Sequence, residues 1–389
     1  MVIGTRTFGQ QKTAGRSTLP RIHDPLQLKD LRLANRLVMA PMVTGLAVAD
    51  APSDAQLAWY ARRARAGVGL VIVEAAAIAP NARLLPAMLG VWDDAQIPGL
   101  SRLARAIRAE SVPAILQIVH GGARAWRDDP DGEERVGPSA VPLAAGPAPR
   151  AMTEAEIEAT IAAFAAAARR VKAAGFDGVE IHAAHYYLIS EFLSPYSNRR
   201  TDRWGGGRPE RARLGVEVTR AVRRAVGPEY PVFCRMHAVE AVEGGLTPED
   251  AAHAARAFEE AGVDLIDASG IGQASLQVWE GRSFLNTSSA PPKGTPPGSY
   301  APFAGRLKTA VTVPVVTVGQ LASQGVAQRV LDQGQADLVA LARQLIADPD
   351  AARKLLDGRE ESIQQCSECF GCFASIRKGG VRCTVNRAA

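Results

Sequence analysis

A chain of 389 residues, 47% hydrophobic and 22% charged, has the balance of a globular protein, long enough for one large α/β domain or two ordinary ones. Its net charge of +5 comes from arginines spread along the sequence, which argues against a nucleic-acid surface and points only weakly to anionic ligands. No stretch approaches 18 consecutive apolar residues, and the polar opening segment (1–20) lacks the apolar core of a secretory signal, so a loose lead-in on a cytoplasmic, non-membrane protein is expected.

Short β-branched runs follow in chain order: RLVMAP (36–41), GLVIVEAA (69–76), AILQIVH (114–120), GVEIHAA (178–184), VFCRMH (232–237), DLIDASG (264–270), PVVTVG (314–319) and DLVALAR (337–343). Helical patterns separate them, among them SDAQLAWYARRARAG, PEDAAHAARAFEEAG and SQGVAQRVLDQG. Another, TEAEIEATIAAFAAAARRVKAAGF, opens on a TxxE capping box and closes at Gly175. The strands are apolar throughout rather than alternating, which predicts burial on both faces and hence a parallel sheet. Eight strand–helix units predict an α/β fold of the (β/α)8 TIM-barrel type over residues 21–358, followed by a short cysteine-bearing extension (359–389). A dinucleotide-binding GxGxxG after the first strand is absent. Two long stretches, 127–150 and 275–300, read as loops of the barrel rim.

Chemistry in such a barrel sits at the C-terminal strand ends. Those ends carry Thr44, Gln117 with His120, then His182, His185 and Tyr187, then Arg235, Gly319 with Gln320, and Arg343. Gly319 and Arg343 fall on the last two units, where backbone N–H groups and a fixed cation suit a phosphorylated ligand. His182 and His185 admit two readings. They are metal ligands, as in a metal-dependent barrel hydrolase, or two neutral donors to one substrate oxygen with the Tyr187 phenol as a proton source. The metal reading needs a further ligand; Glu180 is expected on the other face of its strand, and Glu191 lies well into the next segment. In the tail, Cys366, Cys369, Cys372 and Cys383 have the spacing C-x2-C-x2-C-x10-C, suited to zinc or to a [4Fe–4S] cluster, while Cys234 stands alone.

The segment EIHAAHYYLISEFLSPYSNRRTDRWGG (180–206) closely resembles the signature of the Old Yellow Enzyme family, the FMN-dependent ene reductases. NRLVMAPMVTG (35–45), LQIVHGGAR (116–124), VEGGLTPEDA (242–251), TVGQL and ALARQLIADPD (340–350) match in the same order, so the resemblance covers residues 22 to 387. It implies FMN in the barrel mouth. Gly319, Gln320, Ala342 and Arg343 then hold the phosphate, Gln117 meets the pyrimidine edge, and Arg235 sits by N1 and the C2 carbonyl. Ala75 packs beside the ring, and Pro41, Met42, Val43 and Thr44 line its N5 side. It also implies a small-molecule enone substrate gripped by His182 and His185, protonation by Tyr187, NAD(P)H as reductant, and a homo-oligomer.

Two departures stand out. Val43 occupies a position where relatives often carry cysteine or threonine, with Thr44 the expected substitute, and Tyr186 replaces a frequent glycine, with added bulk expected near the rim. The tail resembles that of the 2,4-dienoyl-CoA reductase and trimethylamine dehydrogenase branch, which implies a [4Fe–4S] cluster in preference to zinc. That branch continues into domains for a second flavin and a dinucleotide. Their absence here suggests an alternative role, an iron–sulfur flavoenzyme exchanging electrons with a separate protein. An RNA-binding barrel lacks the dense basic patch it needs.

Overall fold

The computed structural model describes residues 19–127, 134–271, 273–279 and 282–386. The expected lead-in therefore falls almost wholly outside the described residues. The chain enters through a small hairpin of β1 (Leu26–Leu28) and β2 (Leu31–Leu33). Eight parallel strands follow: β3 (Leu37–Met39), β4 (Leu70–Ala77), β6 (Ala114–Val119), β9 (Gly178–Ala183), β10 (Val232–Glu240), β11 (Leu265–Ile271), β14 (Val315–Val318) and β15 (Leu338–Leu341). Each pairs with its neighbours in chain order, and β15 returns to pair with β3, which closes the sheet into a barrel. All eight coincide with the β-branched runs. Short β5 (Leu89–Gly90) extends the upper end of β4, and β7 (Val136–Gly137) pairs with β8 (Arg150–Ala151) in the first rim segment.

Helices wrap the sheet: α1 (Asp54–Arg65), α2 (Ile97–Arg108), α3 (Glu154–Ala173), α4 (Leu188–Leu193), α5 (Arg208–Val226), α6 (Pro248–Ala261), α7 (Ala301–Ala310), α8 (Gln324–Asp332), α9 (Arg343–Ala347), α10 (Ala351–Leu356) and, in the tail, α11 (Gly371–Ile376). The TxxE box does what the pattern predicts: the Thr153 hydroxyl accepts from the Glu156 N–H, and Glu156 reaches back to the Thr153 N–H. Thr247 and Asp250 repeat the device on α6. Among the described residues no helix is long and apolar enough to cross a membrane.

The barrel is filled rather than hollow at its lower end. Leu28, Leu31 and Leu33 of the entering hairpin pack with Leu70, Ile115, Phe233, Leu265 and Leu338 from the starts of the strands. This plug confines open space to the upper end, where the strand-end residues converge. The second rim segment departs from expectation. Within it β12 (Gln273–Trp279) and β13 (Arg282–Ser288) form an antiparallel hairpin, with Leu276 opposite Leu285.

Candidate active site

A cavity of about 860 Å³ opens at the upper end of the barrel. Pro41, Met42, Val43, Ala75, Gln117, His182, His185, Tyr187, Arg235, Gly319, Gln320, Ala342 and Arg343 all line it. Thr44 does not. It is fully buried beneath the wall, its hydroxyl donating to Glu74 at 2.6 Å and its N–H to the same carboxylate at 3.1 Å. Gln56 and Tyr60 complete that cluster, so Thr44 cannot stand in for the polar group Val43 lacks. Burial raises Glu74 to about 7, against the hydrogen bonds it accepts.

The cavity floor is electrostatically built. Arg235 Nη1 donates to Asp267 at 3.0 Å, both groups being buried, while Arg235 Nε is buried with no protein partner. Glu180 sits two residues before His182, and a strand's period of two puts both on the inner face, contrary to the expectation. There its carboxylate accepts from Gln117 Nε2 at 2.6 Å. Burial, then the Asp267 charge, pushes Glu180 well above the carboxylate range, and burial pushes Asp267 up as well, against the neighbouring Arg235 cation.

At the other end, Gly319 and Gln320 adopt φ of 121° and 57°, a left-handed turn between β14 and α8. Arg343 begins α9 there, with Nη1 buried and unpartnered and its guanidinium 4.9 Å from the Phe370 ring. Tyr300 Oη is another buried, unpartnered polar atom. Orphaned donors on Arg235 and Arg343, two cations lining one cavity, fit a planar heterocycle carrying a phosphate tail, which is the FMN that the sequence implies. Sequence reasoning missed Glu368, whose carboxylate accepts from Gln320 Nε2 at 2.5 Å and from the Gly294 N–H at 3.0 Å.

Over the cavity stands the turn between β9 and α4. His185 and Tyr186 both take left-handed backbone conformations, φ 63° and 53°. Burial, then the Arg235 charge, holds His182 well below the imidazole range; burial, then the neighbouring His182, does the same for His185. Both rings are neutral, so each carries one proton. The Ala184 N–H donates to His182 Nδ1 at 3.2 Å, which puts the His182 proton on Nε2, 3.2 Å from His185 Nδ1. His185 in turn gives its Nε2 proton to Ser269 Oγ at 2.8 Å. The imidazoles therefore form an in-line relay ending at Ser269, rather than two donors already aimed at one point. Tyr187 crosses His182 edge to face with centroids 4.9 Å apart, and Arg124 lies over its ring at 5.7 Å. Tyr186, expected near the rim, is fully buried with its hydroxyl on Glu240 at 2.8 Å.

Metal readings fare differently. Among the described residues no three His, Cys, Asp or Glu side chains gather to hold an ion, so neither the hydrolase site nor a zinc site in the tail is formed. Cys366, Cys369, Cys372 and Cys383 are free thiols; Cys366 and Cys372 open on the cavity, and Cys369 is exposed. A hydrogen bond from Thr384, 2.9 Å away, lowers Cys369 to about 7.

Comparison with known proteins agrees with this geometry. The model of the NADH:flavin oxidoreductase / NADH oxidase family matches residues 21–362. An NADH oxidase of Thermoanaerobacter brockii is 37% identical over 380 residues, covering 95% of this chain and 56% of that protein. An NADPH dehydrogenase of Geobacillus thermodenitrificans is 37% identical over 335 residues, 84% of this chain and 91% of its own length. A solved 2-naphthoyl-CoA reductase in complex with 2-naphthoyl-CoA superposes with a TM-score of 0.85 at 29% identity, over 94% of this chain and 57% of that one. The chain thus spans little more than half the length of the NADH oxidase, and that match reaches past residue 362 into the cysteine-bearing tail. The chain belongs to the NADH:flavin oxidoreductase / NADH oxidase family of FMN-dependent oxidoreductases.

Proposed function

We propose that this barrel reduces the C=C bond of α,β-unsaturated carbonyl compounds at the expense of NAD(P)H. The observation that carries the reading is that Tyr187, His182 and His185 share one cavity with Arg235 and Arg343. FMN bound there supplies hydride exchange between nicotinamide and alkene. Arg343 and the Gly319–Gln320 turn would hold its phosphate, and Arg235, backed by Asp267, would supply a cation to its ring. A carbonyl oxygen entering beside the imidazoles accepts the His182 Nε2 proton in place of His185 Nδ1. With the Ser269 hydroxyl turned to donate to His185 Nε2, the His185 proton moves to Nδ1 and reaches the same oxygen. Two N–H donors then meet the charge that develops there. Tyr187 donates its phenolic proton to the α-carbon.

The test separates the half-reactions. Tyr187→Phe is expected to slow alkene reduction by about 100-fold or more while flavin reduction by NADPH stays within about twofold. Equal losses in both would contradict the assignment.

A second reading concerns the tail. In it the thiols of Cys366, Cys369, Cys372 and Cys383 would hold a [4Fe–4S] cluster, which would supply one-electron transfer to or from a partner protein. It is favoured because the match to the NADH oxidase extends beyond the family model into the tail that carries the cysteines. Four irons and four labile sulfides per chain after anaerobic purification support it; zinc or no metal removes it.

A further inference from the structure

We propose that His237 is the positioning residue for the active-site turn, fixing the left-handed conformation that aims His182, His185 and Tyr187 into the cavity. The inference rests on the proposed roles of those three residues. His237 lies two residues beyond Arg235 on β10, inward-facing and buried. Its Nε2 accepts the backbone N–H of His185 at 2.6 Å. That contact fixes the tautomer, because a neutral ring receiving a proton at Nε2 carries its own on Nδ1, and Nδ1 lies 2.9 Å from Glu240 Oε1. Glu240 is buried and saturated: its other oxygen accepts from the Tyr186 hydroxyl at 2.8 Å, the Ser194 hydroxyl at 2.7 Å and the Leu246 N–H at 2.8 Å. One carboxylate at the end of β10 thus ties down both left-handed residues, His185 through an imidazole and Tyr186 through its own phenol. Arg124 holds the opposite side of the turn by donating to the His185 carbonyl at 2.8 Å.

The need for such a tether is energetic. Two consecutive non-glycine residues at φ near +60° are strained and persist only where the surroundings enforce them. Without the acceptor, His185 N–H is a buried orphan and the turn has reason to relax, carrying Tyr187 with it. A misplacement of about 1 Å is enough to cost on the order of 100-fold in rate.

The experiment uses FMN-reconstituted full chain and three substitutions. His237→Gln keeps an acceptor where Nε2 stood, His237→Asn keeps a donor where Nδ1 stood, and His237→Phe keeps neither. Flavin reduction by NADPH is expected to stay within about twofold in all three. Cyclohexenone reduction is expected to fall by about 10- to 100-fold in the Asn and Phe variants and to recover largely in Gln, with hydrogen exchange at the His185 amide accelerating in the same order. Indistinguishable Gln and Asn variants, or wild-type exchange and turnover in His237→Phe, would overturn the proposal. If the unmodified protein reduces no alkene, the functional reading fails by itself and the amide-exchange order alone decides the tether.

Discussion

Arg343→Ala probes the phosphate end of the cavity and separates it from ring binding. Arg343 offers a buried Nη1 with no hydrogen-bond partner among the described residues, and its guanidinium lies 4.9 Å from the Phe370 ring. A hydrogen bond to a charged group contributes about 1.5–3 kcal/mol. Its loss should therefore weaken FMN affinity by roughly 10- to 150-fold. Riboflavin has the same isoalloxazine and no phosphate, so its affinity should change by less than about threefold. The assay is quenching of flavin fluorescence on titrating apoprotein, with both ligands on both proteins, after thermal unfolding confirms that the variant is folded. An FMN affinity unchanged within about threefold, or equal losses for FMN and riboflavin, would refute the placement of the phosphate.

Other outcomes follow from the buried groups. Glu74 sits at about 7 in the folded chain against 4.5 for the free side chain, so the folded state holds its proton longer. Between those values stability falls as pH rises, by about 3 kcal/mol from this group, and then levels off; denaturant titrations should show that slope flattened in Glu74→Gln. Ser269→Ala removes the partner that lets His185 exchange tautomers, and should raise the dissociation constant of p-hydroxybenzaldehyde, read from its long-wavelength absorbance with flavin, by roughly 5- to 10-fold. Undiminished affinity would dismiss the relay. Thr44→Val should destabilise the fold by about 1–3 kcal/mol and leave flavin affinity alone, since the hydroxyl serves Glu74 and not the cavity.

The barrel was legible because its eight strands are buried on both faces and so appear as unbroken apolar runs. The small hairpins were not. Leu26–Leu28 and Leu31–Leu33 are too short for any period to show, and of the β12–β13 hairpin only β12 alternates, in a stretch whose prolines and glycines read as loop. Strand ends located the cavity residues well, since a barrel leaves only that end open. Depth was harder to read. Thr44 and Tyr186 lie at expected positions along the chain but turn inward, each captured by a buried carboxylate, Glu74 and Glu240. Glu180 was misplaced by a count of one along its strand. His237 and Ser269 were reachable by the same counting, each standing two residues beyond an inward residue, Arg235 and Asp267. On β10 the strand continues past the apolar run to Glu240, which brings one more layer of inward residues into the barrel mouth.

The central claim is that one cavity passes hydride from nicotinamide to an activated alkene under the His182–His185–Tyr187 turn. Its most direct test is anaerobic: FMN-reconstituted protein is bleached with one equivalent of NADPH and then mixed with 2-cyclohexenone while flavin absorbance is followed. Return of the oxidised spectrum with one equivalent of cyclohexanone formed, markedly slowed in Tyr187→Phe, is the predicted result. Flavin that stays reduced, or is reoxidised equally fast with Phe at that position, would contradict it.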